Sequence, residues 1–188
     1  MTAPGLRGRK KAETRRRLAA AAVDLFSERG FDAVTMQDVA AAADVGSRTV
    51  FRYFVDKAEL VFADEAVVDE ELRQVLRKEP AQVDAWSAVE AALVKLTDLW
   101  ADQRREGVRR RRLVTGSAAL TARHLVKLDR HAEVIAEELV ARGAAREAAR
   151  VIGRCAAAAF DCAVDRWLDD PQVSLAEALQ DALDVLRH

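Results

Sequence analysis

The sequence predicts an all-α protein of about nine helices, and three observations carry that prediction. Alanine, leucine, arginine and glutamate dominate a chain with only eight Gly and three Pro, a composition that favours helix. Apolar residues recur at three- and four-residue spacing in segment after segment. Nowhere does an alternating apolar run reach the length of a strand.

The first elements form a small head. A basic stretch, Arg7, Arg9, Lys10 and Lys11, precedes Arg15, Arg16 and Arg17, which open an amphipathic helix. Leu18, Ala22, Leu25 and Phe26 set its apolar face, and Gly30 ends it just past the last turn. Thr35 then serves as N-cap of a helix over about Met36–Ala43, with Asp38 three residues on in a variant of the capping box. Asp44, Val45 and Gly46 make a tight turn, since Asp tolerates a left-handed backbone and Gly can stand as the next N-cap. A second short helix runs over Ser47–Phe54. Two short helices around such a turn, the second bearing Arg48 and Arg52 and ending in aromatics, have the form of a helix-turn-helix. A plain helical hairpin is the competing reading of that window alone.

Residues 14–62 resemble the DNA-binding domain of the tetracycline-repressor (TetR) family of transcriptional regulators. The resemblance lies in Ala21, Ala22, Leu25, Phe26, Gly30 and Phe31, then in Thr35, Asp38, Val39 and Ala40. It continues in Val45, Thr49, Val50, Phe51, Tyr53, Phe54, Lys57 and Leu60. Two departures stand out: Asp44-Val45-Gly46 replaces the family's usual Gly-Val-Ser turn, and Phe51 stands where Tyr is favoured, removing a hydroxyl that could meet a phosphate. The resemblance implies a ligand-responsive repressor that binds double-stranded DNA as a homodimer. Ser47, Arg48, Thr49 and Arg52 would read bases, while Thr35, Gln37, Tyr53 and Lys57 would hold phosphates. The domain limits expected on this reading are 11–71 for the DNA-binding head and 72–188 for a C-terminal ligand-binding and dimerisation domain.

Beyond the head, helices follow at about Lys57–Lys78, Ala85–Arg105, a short arginine-rich piece over Arg109–Thr115, and one ending near Arg142 and Gly143. Gly107 and Gly116 are read as breaks. The last two helices cover about Arg146–Leu168 and Ser174–Leu186, the latter opened by a Ser174/Glu177 capping box. Small residues along the first of the pair, including Ala156, Ala159 and Ala163, permit close helix approach. Leu175, Leu179 and Leu186 form a stripe on the second. In similar proteins these two helices build a four-helix bundle with their symmetry mates; packing within one subunit is the alternative. A two-fold would also double the short footprint of one recognition helix.

The resemblance places an effector pocket among the middle helices. Residues Leu113, Val114, Thr115, Ser117, Leu120, Arg123 and His124, followed by Trp167, are similar to a subgroup whose C-terminal domains take acyl-coenzyme-A-type ligands. Trp86, Leu93, Trp100, Leu113, His124, Leu128, Phe160 and Asp161 are the candidate lining, with ordinary core packing the competing reading of each. Bulky apolar groups with few polar ones beside them suit a lipophile with one polar or anionic end, such as an acyl-coenzyme A.

Charge agrees with a regulator once its distribution is considered. The chain carries −1 overall, yet residues 1–60 hold eleven basic and eight acidic residues, and the remainder nineteen and twenty-three. DNA binding needs a local basic surface, not a basic protein. No apolar run approaches a membrane span, no signal peptide opens the chain, and a cytoplasmic location is expected. Cys155 and Cys162, seven apart on one helix, are too far separated for a bridge and read as buried small hydrophobes. No phosphate-cradling glycine loop, metal-ligand spacing or serine elbow occurs, so neither cofactor, metal nor enzyme activity is expected. An all-helical enzyme, or a protein-interaction module without DNA binding, would differ from the regulator in a salt-dependent DNA shift assay.

Overall fold

The computed structural model describes residues 6–80 and 82–187, with side chains from Lys10 onward. Among these residues nine α-helices and two 3-10 turns make up the regular structure. They are α1 (Leu6–Arg29), α2 (Met36–Ala42), α3 (Ser47–Tyr53), α4 (Glu65–Lys78), α5 (Ala85–Trp100), α6 (Arg104–Thr115), α7 (Ala118–Ala141), α8 (Arg146–Asp169) and α9 (Leu175–Arg187). None of the described helices is long and apolar enough to cross a membrane.

The chain separates into two compact units. One comprises the chain up to Asp64 together with Arg109–Arg123; the other comprises Glu65–Val108 and His124–His188. The expected limits, 11–71 and 72–188, differ from this division. The stretch after α3 bends as a 3-10 turn at Ala58–Leu60, and α4 starts only at Glu65. The reason is packing: Leu60, Val61, Phe62 and Ala63 are all buried, and no single face of a helix can bury four consecutive residues.

In the head, Leu18, Ala22 and Phe26 of α1 pack with Val39 and Ala40 of α2, Val50 of α3, and Phe54. The Phe26 and Phe31 rings meet edge to face at 5.1 Å. Local geometry at the turn follows the residue chemistry. Asp44 sits at φ +53°, and Gly46 is the N-cap of α3. The Thr35/Asp38 capping box closes with the Asp38 N–H donating to Thr35 Oγ1 at 3.2 Å and the Thr35 N–H donating to Asp38 Oδ2 at 2.8 Å. The Thr35 hydroxyl, which also donates to Asp38 Oδ2, and then the Thr35 N–H hold the Asp38 carboxyl below the ordinary aspartate range. The basic segment before Arg15 is not a separate arm, because α1 already begins at Leu6. The side chains of Arg7 and Arg9 lie outside the described ones.

In the C-terminal unit, α9 lies along α8, and Leu175, Leu179 and Leu183 join Ala156, Ala159 and Ala163 in one buried core. Gly107 falls inside α6 and does not break it; a Cβ there would meet Leu168 Cδ2 at 2.8 Å. The interruption comes earlier, at the 3-10 turn Ala101–Gln103. The Arg77 guanidinium grips buried Glu138 through Nε and Nη2 at 2.9 and 2.6 Å. At the start of α9, the Ser174 backbone and hydroxyl both donate to Glu177, keeping its carboxyl acidic.

Candidate nucleic-acid interface and ligand cavity

On α3, Ser47, Arg48 and Arg52 are exposed, while Thr49 and Tyr53 are half-buried and Val50 is fully inside. Seven residues expose one narrow face, so Arg48 and Arg52, four apart, share it with Phe51, itself 53% exposed. The Arg52 guanidinium lies 5.3 Å from the Tyr53 ring centre. Gln37 is exposed on α2.

Two residues expected at phosphates are engaged elsewhere. The Lys57 ammonium donates to the carbonyls of Phe31 at 2.6 Å, Val34 at 3.0 Å and Asp32 at 3.4 Å, and sits 4.3 Å from the Phe31 ring centre. An ammonium has three protons, and this one directs them into the loop between α1 and α2. Lys57 therefore braces the head. The Thr35 hydroxyl spends its proton on Asp38 Oδ2 at 2.6 Å, which leaves it a capping group.

The arginines opening the head are structural as well, a role that charge counting did not reveal. Arg15 donates to Glu59 Oε1 at 2.9 Å, to the Ala63 carbonyl at 3.2 Å and to the Tyr53 carbonyl, with its guanidinium 4.3 Å from the Phe54 ring centre. Arg17 donates to the Ala43 carbonyl at 3.0 Å, satisfying the end of α2. Arg109 and Arg110 pair with Asp24 and Asp64 within the head.

A cavity of about 90 Å³ lies within the C-terminal unit, among α4, α5, α7 and α8. Six candidate residues border it: Leu93, Trp100, His124, Leu128, Phe160 and Asp161. The Trp100 and Phe160 rings meet edge to face at 5.7 Å. Two other candidates do not. Trp86 packs at the edge of the core and donates its indole N–H to Glu90 at 2.6 Å. Leu113 belongs to the head core, because that part of α6 lies in the head.

The cavity also has a polar wall that helix-face reasoning passed over. His131 Nδ1 stands 2.7 Å from Asp69 Oδ1, and Arg130 Nε donates to Asp69 Oδ2 at 2.6 Å. Asp69 is 1% exposed. Its position was readable: 69, 72 and 76 share one face of α4, placing a carboxylate on the stripe of Leu72 and Leu76. Burial, with Lys127 nearby, holds the His131 imidazole below its ordinary pKa, and the Asp69 hydrogen bond only offsets part of that. His124 Nε2 lies 3.0 Å from Asp161 Oδ1.

The expected dimer residues divide sharply. Ala156, Ala159, Ala163, Leu175 and Leu179 are buried inside the subunit, and only Leu186 is exposed. The small residues of α8 serve the packing of α9 on α8, so these five cannot meet a second subunit without unfolding the first. The outward face of α8 instead carries Val151, Ala158 and Cys162, with Cys155 half-buried. Cys162 is thus exposed, against expectation.

Residues 18–63 match the bacterial regulatory proteins of the tetR family, and residues 83–188 match the MftR C-terminal domain. A protein of Mycobacterium tuberculosis named for transcriptional regulation of mycofactocin biosynthesis, MftR, is 26% identical over 95% of this chain and 92% of its own. TcmR of Streptomyces glaucescens, a helix-turn-helix transcriptional regulator, is 33% identical over 56% of this chain and 46% of its own. The fold is shared with SmeT in complex with triclosan, at 18% identity and TM-score 0.61, covering 92% of this chain and 91% of that one. It is shared too with FadR of Thermus thermophilus in complex with lauroyl-CoA, at 24% identity and TM-score 0.58, covering 92% of each chain. These relatives are transcriptional regulators, and the exposed face of α3 belongs to such a regulator, not to an enzyme. With one family model spanning more than half its length and the other its head, the chain belongs to the TetR family of bacterial transcriptional regulators and carries an MftR-type C-terminal domain.

Proposed function

We propose that the protein is a cytoplasmic repressor that binds a pseudo-palindromic operator as a homodimer and leaves it when a small lipophile enters the C-terminal cavity. The observation that carries the effector reading is the cavity itself. Leu93, Leu96, Trp100, Leu128 and Phe160 present apolar surface there, beside a few polar groups able to orient a ligand. For DNA, the exposed Ser47, Arg48 and Arg52 of α3 suit base edges, and Gln37 suits a phosphate. For the dimer, the outward apolar residues of α8 and the exposed Val185 and Leu186 of α9 offer a surface.

Size bears on the ligand. A cavity of about 90 Å³ is well below the ~300 Å³ at which drug-sized pockets begin, so a long acyl chain would have to open it. The FadR proteins of Thermus thermophilus and Bacillus subtilis, in complex with lauroyl-CoA and stearoyl-CoA, make acyl thioesters a class worth testing beside smaller lipophiles.

The experiment is selection of DNA fragments by the purified protein, followed by anisotropy titration of the enriched site with and without lipophiles. The reading expects an inverted repeat, a dimer on it, and weaker binding when lipophile is present. Enrichment of a single unrepeated site, or DNA affinity indifferent to every lipophile, would count against it.

A further inference from the structure

Two imidazole–carboxylate couples stand at the cavity, one of them bordering it through His131 alone, and they are chemically unlike. Asp69 is paired with the Arg130 guanidinium, whose Nε donates to Oδ2 at 2.6 Å, and in that pair both carboxyl oxygens serve as acceptors. Its 2.7 Å contact with His131 therefore requires the proton on Nδ1. The depressed basicity of this ring leaves it that one proton. Nε2 is then a bare lone pair with no protein partner among the described residues, on a ring that borders the cavity. The second couple differs: His124 meets Asp161 through Nε2, and both side chains are about a quarter exposed.

We propose that the Nε2 lone pair of His131 selects the ligand, and that the preferred ligand is an apolar ring bearing a hydroxyl, phenol-like in size. The proposal rests on the reading of this cavity as the effector site. A hydroxyl donates to Nε2. A hydrocarbon buries that lone pair unsatisfied, and a carboxylate sets its own lone pairs against it. Asp69 and Arg130 hold the tautomer, so the acceptor is fixed before any ligand arrives. Size favours the smallest ligands: a cavity of about 150 Å³ holds benzene, so one of about 90 Å³ must open for a single ring and would have to open further for a fused system. Lys127 also borders the cavity, and it is the group through which an anionic ligand would compete.

The test titrates the full chain, labelled with ¹⁵N-histidine, with phenol, toluene and benzoate at pH 7.5. The expected result is an Nδ1–H tautomer at His131, phenol binding at least about tenfold tighter than toluene, and an Nε2 resonance that moves with phenol alone. In His131→Leu the preference for phenol should vanish while toluene still binds. Should that variant fail to fold, the wild-type tautomer and Nε2 shift decide the matter. Equal binding of phenol and toluene with an unmoved Nε2 overturns the proposal and leaves the cavity reading standing. So does benzoate binding more tightly than phenol. If none of the three binds, the proposal falls, and the cavity reading falls with it only when lauroyl-CoA fails to bind as well.

Discussion

Gly153 of α8 and Ala132 of α7 meet backbone to backbone, and a Cβ at position 153 would stand 2.3 Å from the Ala132 carbonyl oxygen. Its next neighbours are also backbone, the Ala132 carbon at 3.2 Å and the Ala136 nitrogen at 3.4 Å, so no side chain can rotate out of the way. Gly153→Ala should cost about 3 kcal/mol, since the helices must separate. Gly107→Ala makes the contrast: the one close contact of the Cβ would be the movable tip of Leu168, with the Trp167 ring at an ordinary 3.7 Å, and alanine gains up to about 1 kcal/mol of helix propensity. Urea midpoints of both variants decide this. Equal midpoints would show that α7 and α8 do not cross so closely.

The second prediction concerns Lys57. Its ammonium bridges three carbonyls of the loop between α1 and α2, so Lys57→Met should lower the melting temperature of the head. The salt dependence of operator binding should keep its slope, because no phosphate contact is lost. A slope flatter by about one unit would restore Lys57 to the DNA interface.

Arg48 supports the third prediction. It is exposed on α3 near the helix start, beside Ser47, with no protein partner among the described residues. Arg48→Ala should weaken operator binding by about 1–3 kcal/mol and relax preference at one base pair per half-site. Binding to random DNA should change far less. An unaltered ratio of operator to random affinity would remove Arg48 from base readout.

The head was legible in the sequence because its geometry is set locally. A Thr–Asp box, an Asp in the left-handed region and a Gly N-cap each act within four residues, and all three form as the residue types dictate. Errors arose where distant packing decides. The helix expected from Lys57 fails because residues 60–63 are drawn together into the head core. Gly107 stays within α6, since one glycine costs a helix only about 1 kcal/mol, and Leu168 packs into the space a side chain there would take. Periodicity placed Ala159 and Leu179 on apolar faces correctly but cannot say which neighbour covers a face, and here it is the same subunit. Leu93, Trp100, Leu128 and Phe160 stand at the cavity because bulky apolar residues line it; His131 borders it too, backed by Asp69, and polar residues on a core stripe carry no apolar period to mark them.

A fourth prediction separates dimer from core. Ala158 and Cys162 face outward on α8, whereas Leu179 is fully buried. Ala158→Asp should dissociate the dimer and abolish tight operator binding while leaving the helical circular-dichroism signal in place. Leu179→Asp should unfold the unit, since it forces an unpaired charge into the core. Light scattering on both proteins is the measurement. A dimer that survives Ala158→Asp would exclude this face.

The last prediction follows from the sign of the His131 shift. The native imidazole is less basic than the unfolded one, because burial and Lys127 outweigh the help of Asp69. Above about pH 6.5 the ring is neutral in both states and contributes no pH dependence. Below that, the unfolded chain takes a proton that the native chain refuses, so stability falls as pH falls, until the native pKa is reached. The loss is at most about 1.4 kcal/mol per pH unit for this one group. The capping carboxylates Asp38, Asp84 and Glu177 have lowered pKa values and so act in a separate, lower window, where stability is lost as they protonate. The groups around the ring are Asp69 on α4, Lys127, Arg130 and His124 on α7, and Asp161 on α8. Urea midpoints of the wild type and His131→Gln, taken between pH 7.5 and 4.5, test this. The variant should start less stable, and its curve should be flatter between about pH 6.5 and 5.5, so that the two converge toward acid. Parallel curves across that interval would mean that His131 takes up its proton as readily in the native protein as in the unfolded one.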